Sequence, residues 1–289
     1  MKPVRDFLEL IKFEHTIFAL PFAYLGMLLA ANGWPSGRQF IWITVAMAAA
    51  RTVAMAFNRI ADRQIDAHNP RTAQRPLVTG AISLHTAWGG LAIASLILAV
   101  AAWQLGRLPF RLLPLAFFFL LGYSFTKRFT WLTHFLLGFT DGLAPLGAWA
   151  AVRGSLFTPP DLPAWTLLAV VTFWIGGFDL IYACQDVAYD RLDGLQAIPA
   201  RFGISVALRL SAICHFLTAG LLIVLGYQVG LSWPYWLGLA VVSGLLVYEH
   251  SLVHPDDLSR VDIAFFDINS YISIILFASI LGALYLPTF

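Results

Sequence analysis

The sequence predicts an all-α protein that crosses a membrane many times, and three observations support this prediction. The chain of 289 residues is 59% hydrophobic with a mean hydropathy of +0.76, well beyond an ordinary soluble domain. Charged residues make up only 12% and gather in a few short stretches. Between these stretches lie apolar windows of about 20 residues, the length of a helix that spans a bilayer. Lipid offers no hydrogen-bond partners to backbone N–H and C=O groups. Helices, which satisfy these groups internally, are therefore the expected elements.

Nine apolar windows are candidate membrane spans. They cover residues 13–31, 38–58, 84–104, 108–126, 131–152, 163–184, 205–229, 231–249 and 264–287. The first is not expected to be a cleaved signal peptide, because Lys12 and Glu14 interrupt its start and no small-residue cleavage site follows. No linker or low-complexity tract divides the chain. Residues 1–289 are therefore predicted to form a single domain, a helical bundle whose cytoplasmic polar loops cap a central cavity.

The placement of basic residues predicts the orientation of the chain. With the N-terminus in the cytoplasm, 13 of the 18 Lys and Arg residues fall on or near that side and four on the other, with Arg51 inside the second span. The positive-inside rule then places the N-terminus inside and, after nine spans, the C-terminus outside. We expect an integral protein of the bacterial cytoplasmic membrane, with the bilayer but no nucleic acid as a partner. The oligomeric state stays open.

Two pairs of aspartates follow long apolar stretches, each pair spaced four residues apart. They are Asp62 and Asp66, and Asp186 and Asp190. Residues four apart share one face of a helix, about 6 Å apart along its axis, so each pair is predicted to direct two carboxylates to one point. Asn58 precedes the first pair by four residues, and Tyr182 precedes the second by four. Acids at the edge of a membrane are costly and are functional candidates by default.

Basic and aromatic residues accompany the acids in three loops that the predicted topology places on the same face. The first helical register is expected to break near Asn69-Pro70, and Arg71 and Arg75 follow it. In the second loop, Asp179, Tyr182, Asp186 and Asp190 recur at helical spacing until Gly194 and Pro199. A third, shorter loop carries Tyr123, Lys127 and Arg128.

The composition of these clusters predicts a magnesium site. Four carboxylates and the amide oxygen of Asn58, with no His or Cys pattern, are hard oxygen ligands that suit Mg²⁺ rather than zinc. Magnesium often shares its shell with phosphates, which Arg and Lys also bind. The residues thus indicate a Mg²⁺-bridged diphosphate at the cytoplasmic mouth of the bundle, with an apolar interior for a hydrocarbon tail. One pair alone would more commonly be a solvated or ion-paired helix end, and Arg71 and Arg75 could also serve as topology determinants.

These residues resemble the motifs of the UbiA-type intramembrane aromatic prenyltransferases over nearly the whole chain. The family's first motif, NDxxDxxxD, is matched by Asn58, Asp62 and Asp66, while Arg59 replaces its second residue. Its second motif, DxxxD preceded by YxxQ, is matched by Tyr182, Gln185, Asp186 and Asp190. The intervening Y-x-x-x-K-R element is matched by Tyr123, Lys127 and Arg128.

The resemblance implies Mg²⁺-dependent transfer of a polyprenyl group from its diphosphate to an aromatic acid in quinone biosynthesis. It implies that Asp62, Asp66, Asp186 and Asp190 bind Mg²⁺ and diphosphate with the help of Asn58, that Arg71, Lys127 and Arg191 balance phosphate charge, and that Arg128 holds the aromatic carboxylate. The matching subgroup is often labelled 4-hydroxybenzoate polyprenyltransferase. Some of its members use 1,4-dihydroxy-6-naphthoate in the futalosine route to menaquinone, and the sequence leaves this choice open. Arg59 excludes a ligand role at its position.

Two other classes of membrane protein compete with this interpretation. A secondary transporter for cations or organic anions predicts acids near the bilayer midplane and inverted repeats, whereas these acids cluster at one face. A CDP-alcohol phosphotransferase is also Mg²⁺-dependent, but its DGxxARxxxxxxxxGxxxD pattern is absent from the sequence. The prenyltransferase is therefore the favoured prediction.

Overall fold

The computed structural model describes residues 2–11 and 13–286, with side chains described for 6–11 and 20–286. Lys12, the side chain of Glu14 and the end of the ninth predicted window lie outside this part. The described residues form helices and no β-strand, which confirms the all-α prediction. The helices are α1 (Lys2–Leu10), α2 (Phe13–Ala31), α3 (Gly37–Ala61), α4 (Arg63–His68), α5 (Leu84–Leu105), α6 (Arg107–Thr126), α7 (Thr133–Arg153), α8 (Leu162–Ala183), α9 (Val187–Leu192), α10 (Ile198–Phe202), α11 (Ile204–Val229), α12 (Trp233–Ser251) and α13 (Asn269–Tyr285).

The long helices coincide with the apolar windows to within a few residues. Among the described residues, seven helical segments are long and apolar enough to cross a membrane. They are α3, α5, α6, α7, α11, the segment Pro159–Leu192 that contains α8, and the segment Ile263–Tyr285 that contains α13. Helix α2 contributes a shorter apolar stretch, and α12 is not among the seven. The prediction of a polytopic membrane protein is confirmed, with nine as an approximate count of spans.

Caps and a glycine fix where several helices begin and end. Ser36 and Gln39 form a reciprocal capping box at the start of α3, and Ser83 accepts the Thr86 N–H at 3.1 Å at the start of α5. Helix α7 ends at Gly154, whose φ of +69° is a left-handed conformation that suits glycine. The polar signals at the edges of the apolar windows therefore set the helix boundaries.

The largest hydrophobic core lies between α2, α7, α8, α11, α12 and α13 and contains residues such as Leu25, Leu167 and Tyr235, each fully buried. Helix α7 approaches α8 closely because Gly138 faces the backbone of Thr172, where a Cβ would come within 2.3 Å of the carbonyl oxygen. Helix α6 is different, because its apolar window is only 11% buried within the protein. Its outer face is thus available to lipid.

Helix α1 packs against the loop that follows α4. Leu10 of α1 is buried with Leu77 and Ile82 of this loop and with Ala87 of α5, and Phe7 packs beside them. This small hydrophobic cluster packs the C-terminal part of the loop that carries Arg71 and Arg75 against α1 and α5. The C-terminal ends of α3, α6 and α8 open towards the same polar region.

Candidate functional site

The first acid cluster lies where α3 meets α4. Asp62 stands at the junction, and backbone hydrogen bonds from Asp62 N to Asn58 O (2.9 Å) and from Asp66 N to Asp62 O (2.8 Å) continue across it. Asn58, Asp62 and Asp66 therefore keep the one-face arrangement that their spacing predicts. Helix α4 ends at His68, next to the predicted break at Asn69-Pro70.

The second acid cluster departs from the predicted continuous helix. A 3₁₀ turn, Cys184–Asp186, separates α8 from α9, so Asp186 and Asp190 do not continue the register of Asp179 and Tyr182 without interruption. A 3₁₀ turn winds more tightly than an α-helix, which changes the direction of the side chains beyond it. The prediction that Asp179, Tyr182, Asp186 and Asp190 share one continuous helix is therefore corrected, since spacing alone does not reveal such a turn.

The acids of the first cluster are buried and paired with cations from other segments. Asp62 is 2% exposed; its Oδ2 accepts from Lys127 Nζ at 2.6 Å and from Asn58 Nδ2 at 3.0 Å, and its Oδ1 lies 3.3 Å from Arg128 Nη2. Asp66 is 5% exposed, and its Oδ2 accepts from Arg75 Nη1 at 2.6 Å. Buried carboxylates need such partners.

Asp186 of the second cluster is held by the loop that follows α4. Arg71 donates from Nε to Oδ1 at 2.9 Å and from Nη2 to Oδ2 at 2.5 Å, and Asn69 Nδ2 donates to Oδ1 at 2.7 Å. Arg71 Nη1 also donates to the Tyr182 hydroxyl at 2.7 Å. Burial opposes the charge of Arg71, but the hydrogen bond with Asp186 and the neighbouring acids raise the pKa of its guanidinium above the ordinary value.

Further contacts join all three loops into one polar region. His68 at the end of α4 lies 2.9 Å from Asp193 after α9, measured from Nδ1 to Oδ1. The backbone N–H of Gln196 donates to the carbonyl of Lys127 at 2.7 Å. The structure therefore brings the loops after α3, α6 and α8 to the same face, as the topology predicts.

Four predicted site residues take no part in the ion pairs between the acids and the cations. Arg191 is exposed and donates to the carbonyl of Ala200 at 2.8 Å, towards α10 rather than towards an acid. Tyr123 donates its hydroxyl to the Ala54 carbonyl of α3 at 3.3 Å. Within the described part of the chain, the carboxylate of Asp190 makes no hydrogen bond, and the buried Gln185 Nε2 has no partner. Asp190 and Gln185 thus retain free hydrogen-bonding capacity.

The structure adds residues that the sequence did not single out as site residues. Asn69 is one, because it signalled only a helix break before its amide was seen on Asp186. Phe265 is another: it stacks on Tyr182 with ring centroids 4.1 Å apart, from a π-helical segment before α13. No local pattern connects Phe265 with Tyr182, so sequence spacing could not have paired them.

The polar residues that the loops after α3, α6 and α8 bring together form the mouth of the bundle. They fit a hard divalent cation that shares its coordination shell with a ligand. Among the residues described, no three acidic, histidine or cysteine side chains converge to hold a metal by themselves. Magnesium commonly takes only one or two carboxylates and completes its shell with water and phosphate oxygens. The available donors are carboxylate and amide oxygens, as such a cation requires.

A cavity of about 300 Å³ opens beside the first cluster. It is lined by Ala61, Gln64, Ile65, Arg128, Asp193, Gly194 and Leu195. Arg128 is the single cation of this lining, and its side chain is 37% exposed. The guanidinium of Arg128 is thus the group of this lining that can pair with an anion, while Asp193 contributes a carboxylate.

A helical membrane bundle with acids and cations gathered at one polar mouth has the architecture of an intramembrane prenyltransferase. The model of the UbiA prenyltransferase family matches residues 19–271, and the chain belongs to this family. The family prediction and the assignment as a prenyltransferase are thereby confirmed.

Curated relatives and solved structures agree with this membership. The chain is 31% identical over 264 residues to a 4-hydroxybenzoate octaprenyltransferase of Methylobacillus flagellatus, covering 90% of this chain and 86% of that protein. It is 34% identical over 244 residues to one of Cupriavidus necator, covering 83% and 82%. The apo structure of a UbiA homolog from Aeropyrum pernix K1 superposes with a TM-score of 0.85 at 35% identity, covering 92% and 97%. A UbiA homolog from Archaeoglobus fulgidus bound to GPP and Mg²⁺ shares the fold, with a TM-score of 0.67 at 20% identity over 95% and 99%.

Proposed function

We propose that this protein transfers a polyprenyl group from polyprenyl diphosphate to 4-hydroxybenzoate in a Mg²⁺-dependent reaction. The observation that carries the proposal is the joining of the two acid clusters at one mouth through the ion pair of Arg71 and Asp186. The relatives named 4-hydroxybenzoate octaprenyltransferase support the choice of acceptor. The homolog that binds GPP and Mg²⁺ supports the donor class and the metal.

In this proposal the metal ligands are oxygens of the two clusters. They are Asp62, Asp66, Asp186 and Asp190, with Asn58 as a further ligand. Bound Mg²⁺ would supply charge stabilisation for the leaving diphosphate. Asp190, whose carboxylate makes no hydrogen bond among the described residues, can take up a ligand without first giving up a partner.

The cations of the mouth would exchange partners when the donor binds. Arg71, Arg75 and Lys127 now neutralise three carboxylates. Once phosphate oxygens are present, these side chains would bind them and release carboxylate oxygens for the metal, so that every charge stays paired. Arg191 would need to leave its present carbonyl partner to join them.

Arg128 would hold the carboxylate of the acceptor from its place in the cavity. A guanidinium binds a carboxylate through two parallel hydrogen bonds and so fixes the orientation of the ring. The ring carbon beside the hydroxyl then attacks the prenyl carbon that bears the diphosphate. Water would have to be kept from the allylic cation during this step, because it would otherwise hydrolyse it.

The proposal places the mouth in the cytoplasm of a bacterial cell, with the N-terminus inside and the C-terminus outside. The excess of basic residues in the loops of the mouth supports this orientation. A donor diphosphate made in the cytoplasm would then reach the site without crossing the bilayer.

Product mass spectrometry tests the proposal. Membranes that contain the protein would receive Mg²⁺, donors of several chain lengths, and either 4-hydroxybenzoate or 1,4-dihydroxy-6-naphthoate. We expect prenylated 4-hydroxybenzoate, loss of product with a metal chelator, and loss of product in Asp62→Ala and Asp186→Ala. Asp256→Ala, which alters an exposed acid of the loop after α12, is the matched control and should remain active. Substrate uptake into proteoliposomes without any product would instead favour a transporter.

A further inference from the structure

We propose that Asp179 is the base that removes the proton from the acceptor ring, and that His134 positions it. This inference rests on the proposed prenyl transfer. Asp179 lies on α8, three residues before Tyr182 and therefore about 4.5 Å further from the mouth along the helix axis. It thus lies one helical turn deeper in the bundle than Tyr182, which is nearer to the proposed diphosphate position.

The hydrogen bonds of His134 fix its protonation. His134 is 3% exposed, and its Nδ1 lies 2.7 Å from Asp179 Oδ2. Its other nitrogen, Nε2, faces the backbone N–H of Ile198 at 3.3 Å. A backbone N–H can only donate, so Nε2 is the acceptor and the ring proton lies on Nδ1. The imidazole is therefore neutral and donates to Asp179.

This partner distinguishes Asp179 from the three acids of the mouth that form ion pairs. Asp62, Asp66 and Asp186 are paired with Lys or Arg, whose positive charges weaken a carboxylate as a base. Asp179 has a neutral partner and no lysine or arginine within ion-pair distance among the described residues.

The second oxygen of Asp179 is free to act. Its side chain is 23% exposed, and Oδ1 makes no hydrogen bond to any residue that the structure describes. Because Asp179 lies on the turn of α8 next to Tyr182, an acceptor ring held beneath the mouth would lie beside this free oxygen.

The chemistry needs a base in this region. The bond between the prenyl carbon and the diphosphate oxygen breaks, its electron pair leaves with the diphosphate, and a ring carbon bonds the prenyl carbon. The cationic ring then loses the proton at that carbon, and the C–H electron pair restores aromaticity. Asp179 Oδ1, which accepts no hydrogen bond from a described residue, takes this proton.

Kinetics with a ring-deuterated acceptor test the assignment. In Asp179→Asn we expect kcat to fall on the order of 100-fold with the KM for the donor little changed. We also expect a primary isotope effect larger than that of the wild type, because proton loss becomes slower. Formate should partly restore turnover to Asp179→Ala. His134→Asn, which keeps a donor near the position of Nδ1, should retain more activity than His134→Phe.

The alternative outcomes separate this inference from the proposed function. An Asp179→Asn enzyme with wild-type kcat, or one with lower kcat, an unchanged isotope effect and no rescue of Asp179→Ala by formate, would overturn the role of Asp179 alone. Donor binding by the variant, measured with a non-hydrolysable analogue, verifies its fold. A wild-type protein that prenylates no aromatic acid would overturn the proposed function itself.

Discussion

Arg71 binds both carboxylate oxygens of Asp186, at 2.9 Å from Nε and 2.5 Å from Nη2, and thereby joins the loop after α4 to the end of α8. Hydrogen bonds to charged groups contribute about 1.5–3 kcal/mol each. Together with the hydrogen bond from Asn69 to Asp186, the pair joins the segment after the first acid motif to the second motif, far apart in the sequence.

The first prediction concerns this pair. Arg71→Lys should lower kcat/KM for the donor roughly 10- to 100-fold, because lysine cannot make the two parallel hydrogen bonds. Steady-state kinetics with varied donor would measure the change. Arg63→Ala, which removes an exposed arginine of α4 with no acid partner among the described residues, should leave the kinetics unchanged. Equal losses in the two variants would refute a specific role for Arg71.

The second prediction separates acceptor from donor binding. Arg128→Ala should raise the KM for 4-hydroxybenzoate about tenfold or more, because a charge-assisted pair with the carboxylate is lost. The KM for the donor should change less. A phenol without the carboxylate is the matched control substrate, and its slow prenylation should be insensitive to the substitution. An identical effect on both acceptors would show that Arg128 does not recognise the carboxylate.

The third prediction concerns helix packing away from the site. Gly138→Ala should destabilise the protein by about 1–3 kcal/mol, because the new Cβ meets the backbone of Thr172 and forces α7 away from α8. Gly147→Ala lies on the same helix, where nothing stands within 4 Å of the added Cβ, and should be neutral. Thermal unfolding in detergent compares the two, and similar melting temperatures would contradict the close approach.

The fourth prediction tests the proposed orientation. Cys184 and Cys214 are buried, so cysteines introduced at exposed sites should dominate labelling. In intact cells, a membrane-impermeant maleimide should label Phe157→Cys, on the side away from the mouth, but not Asp256→Cys. Permeabilised cells should label both. The reverse pattern would place the mouth outside the cytoplasm.

Much of the fold could be predicted because each membrane span must be a helix of about 20 mostly apolar residues. Apolar windows located the long helices, and Gly154 and Ser83 mark ends that the polar flanks already suggest. The 3₁₀ turn at Cys184–Asp186 and the π-helical segment Ile263–Ile268 were not predictable, because both depend on packing between distant helices. The prediction that residues 1–289 form one domain stays a prediction.

The site was predictable in its members but less so in its pairing. The spacing of Asn58, Asp62 and Asp66 identified one cluster. The predicted topology placed the second cluster on the same side of the membrane, so the two were expected to form one site. The partner of Asp66 was not predictable, because the turn that brings Arg75 to it is tertiary structure. Arg191 shows the reverse case, since its position directly after the second motif did not reveal that it donates to Ala200.

The central claim is that the two acid clusters form one Mg²⁺–diphosphate site, and binding of a non-hydrolysable prenyl diphosphate analogue tests it most directly. Affinity would be measured with and without Mg²⁺ for the wild type, Asp62→Ala, Asp186→Ala and the double variant. We expect Mg²⁺-dependent binding that each single substitution weakens strongly but measurably, with the double variant little weaker than either, since residues of one site are not additive. Binding that is independent of Mg²⁺, or losses that add in the double variant, would contradict it.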